Sequence, residues 1–273
     1  SIGVDVEKMV FKKNWWYQSE INLPPITEQK KIAEILSAWD NAIEKLEKLI
    51  ELKEQRKKGL MQQLLTGKKR LPGFGKPVEK EGEVPEGWEV VKLRHIKKED
   101  LIIEKGKPIT EVSTDSAKYP VIAGGRTIPY YVNNYTHSGP CITISASGAY
   151  AGYVWYHEYP IWASDCNVLY TRRTQSKFLF YSLLLRQEKI YLLQTGGAQP
   201  HVYGKDIENL KLFFPPINEQ KLITQIISDN EKEIITMNSL KAKLKIQKKG
   251  LMQKLLTGEV RVKTEKQETA DVR

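Results

Sequence analysis

Leu36, Trp39, Ile43, Leu46 and Ile50 recur at alternating spacings of three and four residues. That is the apolar seam of a helix built to lie along a partner helix. Pro24 and Pro25 stop whatever precedes the seam, and Thr27 is placed to cap the helix with Glu28 in its first turn. Gly67 supplies a C-terminal stop. A second stripe, Ile223, Ile226, Ile227, Ile234, Met237, Leu240 and Leu244, ends at Gly258. It is less regular, with Asn230 standing where the first stripe has Trp39. About 40 helical residues at 1.5 Å rise make each a rod of roughly 60 Å.

The two stripes belong to one repeated segment. Pro24–Gly67 and Pro215–Gly258 align without a gap at an offset of 191 (215 − 24), with 21 of 44 positions identical. The identities gather at the ends, in PPI-x-EQK and KKGLMQ-x-LLTG. Matching ends on a fixed length predict two equivalent struts that set a distance. Gly59 and Gly250 interrupt the helical pattern at a cost of about 1 kcal/mol each relative to Ala. They predict either close approach of another backbone or a bend.

Residues 85–214 have a different texture. YPVIAGG, GPCITISA, GYVWYH and CNVLYT predict strands closed by Gly, Pro or Asn. FLFYSLLLRQEKIYLL predicts a helix, followed by a TGGAQP turn. Residues 68–84 hold three Gly and two Pro and read as a linker. Residues 1–23 match in position the run before the second repeat, so they read as the remnant of an upstream domain. Residues 259–273 read as a flexible tail. The fold class expected is α+β: one strand-rich mixed globular domain plus two long helices.

The chain has 273 residues, is 40% hydrophobic and carries a formal net charge of +10. It can bury a core, and the basic balance favours a polyanionic partner. Cys141 and Cys166 form no CxxC pair and have no accompanying histidine cluster, which argues against a zinc site or a disulfide framework. No run approaches the roughly 18 apolar residues of a membrane span, and no secretory pattern opens the chain. The expected setting is cytoplasmic.

Catalytic patterns are missing. There is no Walker A loop, no Gly-rich dinucleotide loop opening a helix after a strand, and no GxSxG. The Pro-Pro pairs stand in Leu-Pro-Pro-Ile and Phe-Pro-Pro-Ile. They lack the Asn or Asp that an amino-methyltransferase places before such a pair. His95, His137, His157 and His201 are scattered. The sum points to a binding protein that holds no metal or cofactor of its own.

The paired repeats, RLPGF at 70–74, VPEGWEVVKL at 84–93 and TGGAQPHV at 195–202 together resemble the specificity (S) subunit of type I restriction–modification enzymes. The resemblance covers essentially all of residues 1–258. It implies a target-recognition domain at 85–214 and conserved spacer helices at 24–67 and 215–258 packed as an antiparallel coiled coil. It also implies double-stranded DNA as ligand and methyltransferase (M) subunits as partners, with restriction (R) subunits joining the larger complex. S-adenosylmethionine and ATP/Mg would belong to those partner subunits. The family pattern has two recognition domains where this sequence has one complete copy. That points to a truncated form, with homodimerisation as one way to supply a second domain.

Within that frame, base readers are expected in the Gly-bounded loops: Arg126, Thr127, Tyr130, Tyr131, Asn133, Ser145, Ser147, Tyr150, Gln199, His201 and Lys205. Lys118, Arg172 and Arg173 are the phosphate candidates. The shared helix ends are the candidate docking surfaces for M subunits: Glu28, Gln29, Gly59, Leu60 and Met61, with Glu219, Gln220, Gly250, Leu251 and Met252. The leading expectation is a non-catalytic subunit reading half of a bipartite DNA site. The alternative is a scaffold or regulator that binds M subunits without directing recognition. A fused restriction–methylation enzyme is disfavoured by the missing motifs.

Overall fold

Two long helices carry the repeats, Ile26–Leu64 of 39 residues and Ile217–Thr257 of 41. The structure, a computed structural model, describes residues 23–80, 82–109, 117–171 and 175–263. All but Leu23 of the remnant expected at 1–23, and the last ten residues of the tail expected at 259–273, lie outside the described residues.

The identical repeat ends now have a physical account. The first helix begins at Ile26, so Thr27 lies inside the first turn instead of capping it. The work at the N-terminus falls to the glutamine of the EQ pair. The Gln29 side-chain amide donates to the Pro24 carbonyl at 2.8 Å, and Gln220 donates to Pro215 at the same distance. Each Pro-Pro lead-in is thereby tied to the first turn it precedes. At the other end the Thr66 hydroxyl donates to the Gln62 carbonyl and Thr257 donates to Gln253. Gly67 and Gly258 then turn the chain with φ of 74° and 76°, a left-handed conformation that disfavours any side chain.

The chain divides into two units, residues 1–51 with 235–273 and residues 52–234. In the first, Ile32, Ile43, Ile50 and Leu255 are buried. Leu36, Trp39 and Leu46 of the expected seam are half-buried, and Leu240 of the second stripe is exposed at 47%. Ion pairs join Glu28 to Arg261, Asp40 to Lys248 and Glu47 to Lys245. As the first helix number rises the second falls, so these segments run in opposite directions.

The second unit holds the sheets. Strand β1 (Glu89–Lys92) pairs antiparallel with β9 (Lys211–Phe214). A four-stranded antiparallel sheet runs in the order β2 (Leu101–Lys105), β8 (Cys166–Thr171), β5 (Cys141–Ser145), β6 (Val154–His157). A three-stranded sheet runs β4 (Tyr131–Val132), β3 (Tyr119–Ile122), β7 (Trp162–Ala163), with β3 and β7 parallel. The sequence thus foretold β3, β5, β6 and β8. The expected helix at 178–193 is two helices, Ser176–Leu184 and Gln187–Tyr191, broken at Arg186.

The central sheet is covered on both faces. Ile142, Ile144 and Leu169 enter a core with Leu179, Leu183 and Ile190. Their strand neighbours Cys141, Cys166 and Val168 enter another with Ile122 and Ile161. This period-two division explains why β5 is buried at every position. A third core, with Met61, Leu64, Trp88, Phe178, Tyr181, Ile223 and Ile227, packs this α+β unit against its own helical segments. Tyr181 donates to Glu231 at 2.9 Å there, and Glu231 also pairs with Lys57. No helix among the described residues is long and apolar enough to cross a membrane.

Candidate nucleic-acid interface

Three loops converge beside the end of β5. A Cβ on Gly124 would stand 2.6 Å from the Ser147 carbonyl oxygen and 3.2 Å from Asp165, so the 123–127 turn lies directly against the loop after β5. That loop is joined in turn to the 195–203 turn. Gly148 N–H donates to the Pro200 carbonyl and Val202 N–H to Ala146, and Ser147 bridges to His201. The 195–203 turn closes on itself through reciprocal backbone bonds between Thr195 and His201. The Ser147 hydroxyl donates to the Asp165 carboxylate.

Arg126, on the 123–127 turn, reaches over Tyr150 and Tyr153 to Tyr191. Its guanidinium lies 4.5 Å from the Tyr150 ring centroid and 5.1 Å from that of Tyr153, and it donates to the Tyr191 hydroxyl at 3.0 Å. The hydrogen bond to Tyr191 raises its pKa further above an already high value. An arginine fixed on tyrosine rings keeps its donor fork planar and pre-aimed. It suits a guanine edge or a phosphate. A second stack stands nearby in the chain: His201 and Tyr203 are parallel at 6.0 Å, with the Lys205 ammonium 5.5 Å over the Tyr203 ring. A cleft beside it is lined by Glu104, Asp165, Asn167, His201, Tyr203 and Glu208. Its carboxylates repel phosphate but accept from an exocyclic base amino group.

The candidates from sequence therefore separate. Arg126, Thr127, Tyr150, Ser147, Gln199, His201 and Lys205 lie on the converging loops. Lys118 and Tyr131 line a different hollow with Tyr119 and Tyr159. Half-buried Tyr130 and exposed Asn133 flank that hollow along β4. Ser145 is 3% exposed in the middle of the sheet, so its side chain is part of the core and not of the surface. Arg172 and Arg173 lie outside the described residues. Tyr153, Tyr191 and Tyr203 were missed, because a tyrosine in a strand or short helix carries no local sign of the arginine or lysine it will hold.

The helix-end candidates fare differently from what the sequence suggested. Glu28 and Glu219 are 4% and 0% exposed. Arg70 donates to Glu219 at 2.8 and 3.0 Å, and the Trp88 indole N–H adds a third bond at 2.8 Å. Arg261 donates to Glu28 at 2.8 and 2.7 Å, and this guanidinium holds the Glu28 carboxyl below the usual carboxylate range. Both carboxylates thus serve intrachain arginines. Gln220 and Met61 are buried as well, and Leu60 packs against the Met61 core. Gln29, Gly59, Gly250, Leu251 and Met252 are half-buried. No described atom outside each glycine's own helix lies within 4 Å of a Cβ placed on Gly59 or Gly250, so close backbone approach is not their purpose within this chain. The arginines were legible after all: Gly67-x-x-Arg70 and Gly258-x-x-Arg261 continue the repeat three residues past its apparent end.

Among the described residues no group of three or more His, Cys, Asp or Glu is arranged to hold a metal. Cys141 and Cys166 are free thiols, and burial raises each to about 12.

The family model for the type I restriction modification DNA specificity domain matches residues 17–54 and 85–246. The putative type I restriction enzyme MjaX specificity subunit of Methanocaldococcus jannaschii is 32% identical over 262 residues, covering 90% of this chain and 60% of that protein. The MjaVIII specificity subunit of the same organism is 29% identical over 290 residues, covering 94% and 65%. The chain thus spans less than two thirds of either relative. A crystal structure of a type I restriction–modification S subunit from M. genitalium superposes with a TM-score of 0.63 at 17% identity, covering 85% of this chain and 61% of that one. A chain from a study of assembly and conformational transition of the type I system gives 0.53 at 19% identity, covering 87% and 61%. At these identities the superpositions speak for the fold.

Proposed function

We propose, from the premise that this chain belongs to the family of type I restriction modification DNA specificity domains, that it reads one half of a bipartite DNA site for a methyltransferase. The observation that carries the reading is the convergence of three loops, with Arg126 held on Tyr150, Gly124 against Ser147, and Ser147 bridged to His201. Strand-held loops of this kind set base-reading side chains on a rigid support. The chain performs no chemistry of its own. M subunits supply S-adenosylmethionine and act at the base, and R subunits with ATP and Mg join the larger assembly. Residues 85–214 form the recognition domain, 68–84 a linker, and 24–67 and 215–258 the spacers.

The spacer helices pack as an antiparallel coiled coil that fixes the gap between half-sites. Opposed ion pairs and buried Ile43 and Ile50 support that packing. M subunits dock at the shared helix ends, and the open surroundings of Gly59 and Gly250 support a partner backbone there. Two copies of the chain supply two recognition domains. The setting is cytoplasmic.

The test is a methylation map. The chain is co-expressed with its cognate M subunit in a methylation-free host, and methyladenine is located by long-read sequencing. A symmetric bipartite motif is expected. A stable complex with M that leaves the genome unmethylated would overturn recognition and favour a scaffold.

A further inference from the structure

Nothing in the sequence pattern marks Asp165, the residue before β8, but its surroundings do. The Ser164 N–H donates to the Ile122 carbonyl at 2.8 Å, the Ala146 N–H to the Asp165 carbonyl at 3.1 Å, and the Gly106 N–H to the Cys166 carbonyl at 2.8 Å. Three neighbouring segments thus hold the backbone on both sides of Asp165. Its side chain is held as well. Oδ2 accepts from the Ser147 hydroxyl, and a Cβ on Gly124 would stand 3.2 Å from that oxygen. Oδ1 accepts no hydrogen bond from the described residues, and no described Lys, Arg or His pairs with the carboxylate.

Asp165 is half-buried and lines a cleft with Asn167, His201 and Tyr203. Asn167, 5% exposed, donates to the Val202 carbonyl at 3.0 Å. That bond ties the turn carrying His201 to the strand that Asp165 leads into. An unpaired carboxylate here repels phosphate, so it weakens binding to every duplex alike. It becomes favourable where a hydrogen-bond donor meets its free oxygen. Cytosine presents its N4 amino group in the major groove with no acceptor of its own. Adenine sets the N7 acceptor beside its amino group, and guanine and thymine present acceptors. A group that only accepts therefore selects cytosine. Arg126, on the adjoining turn, has the opposite polarity and suits guanine.

Resting on the reading of this chain as a DNA-recognition subunit, we propose that Asp165, oriented by Ser147, selects a cytosine in the half-site by accepting from its N4 amino group. Its charge lowers affinity for DNA in general and sharpens the preference for one base.

The probe is a pool of duplexes randomised over the site, selected on the intact chain with its cognate M subunit and read by sequencing. The parent should show one position at which cytosine leads by about tenfold. Asp165→Asn keeps the size of the side chain and an oxygen for Ser147. It should flatten that position alone and bind scrambled duplex more tightly than the parent does. A second duplex carries 2-pyrimidinone, which is cytosine without its amino group, at that position. The parent should bind it about tenfold more weakly than the cytosine duplex, and Asp165→Asn should lose far less. A parent profile with no cytosine preference, a variant profile that matches the parent's, or equal binding of the two duplexes by the parent overturns the proposal and leaves DNA recognition standing. The last of these needs no variant to fold. A parent profile flat at every position overturns the recognition reading and the proposal together.

Discussion

Arg70 donates to Glu219 across 149 residues of sequence, and Arg261 does the same for Glu28 across 233. Each glutamate opens one repeat and each arginine closes the other, so the repeats are cross-fastened by equivalent bonds. The two fastenings differ in burial. The Arg70 and Glu219 side chains are 2% and 1% exposed, whereas Arg261 is 65% exposed.

That difference sets the first prediction. Arg70→Ala strands a buried carboxylate that keeps only the Trp88 indole, and should cost about 3–5 kcal/mol. Arg261→Ala should cost clearly less, because the Arg261 side chain is mostly in water and Glu28 keeps the Val262 N–H. Urea unfolding of the two variants settles it; equal losses would contradict the burial argument.

Gly67 and Gly258 share a left-handed φ but not their surroundings. Gly258→Ala carries only the backbone penalty, about 1–2 kcal/mol. Gly67→Ala adds a collision with the Pro85 ring and should lower the melting temperature by a visibly larger step. Calorimetry of both variants reads the contrast.

Arg126→Ala should weaken binding to the cognate half-site by about 1–3 kcal/mol and leave non-specific binding nearly untouched. Fluorescence anisotropy against cognate and scrambled duplexes, over a range of salt, makes the comparison. An unchanged cognate affinity would remove Arg126 from the reading surface.

Much of this was legible in the chain beforehand. β3, β5, β6 and β8 are dense in β-branched and aromatic residues between turn formers, and the long helices announce themselves by period and by repetition. β1 and β9 were not foreseen, since each is four residues long and gains its hydrogen bonds from a partner more than a hundred residues away. β4 and β7, of two residues each, have no period to detect. Ser145 was misplaced because a serine after Cys-Ile-Thr-Ile looks like the start of a loop, while its pairing with Cys166 and the cover from β6 keep it inside. Glu28 and Glu219 read as docking residues for a partner because Arg70 and Arg261, which hold them, lie three residues past the Gly67 and Gly258 stops.

His157 is fully buried, its Nε2 at 2.8 Å from the Thr143 hydroxyl, and burial lowers its pKa from 6.5 to about 4. As pH falls, the unfolded chain binds the proton first. This group's contribution is therefore intact above pH 6.5, is lost between about 6.5 and 4, and is constant below. Roughly 2 kcal/mol should disappear between pH 7 and pH 5. Denaturation midpoints of the parent and His157→Gln at the two pH values test it. A parent midpoint as flat as the variant's refutes the assignment.

Cys141 and Cys166, with thiols raised to about 12, should resist iodoacetamide at pH 8 in the folded chain and react readily in urea. Mass spectrometry counts the adducts. Rapid native labelling of either would mean that the core between the two larger sheets opens often.

The Arg70–Glu219 bond closes a loop of the chain that holds all nine described strands, from β1 to β9. The fastening is made by Arg70 and Glu219, and residues 85–88 add the Pro85 ring against Gly67, the Glu86 carbonyl that accepts from Arg70, and the Trp88 indole N–H. A different domain inserted between 71 and 218 would meet the same latch if it presented a proline and a tryptophan at those two places. The stretch between can then be exchanged as a cassette, with the frame that carries it expected to stay as it was.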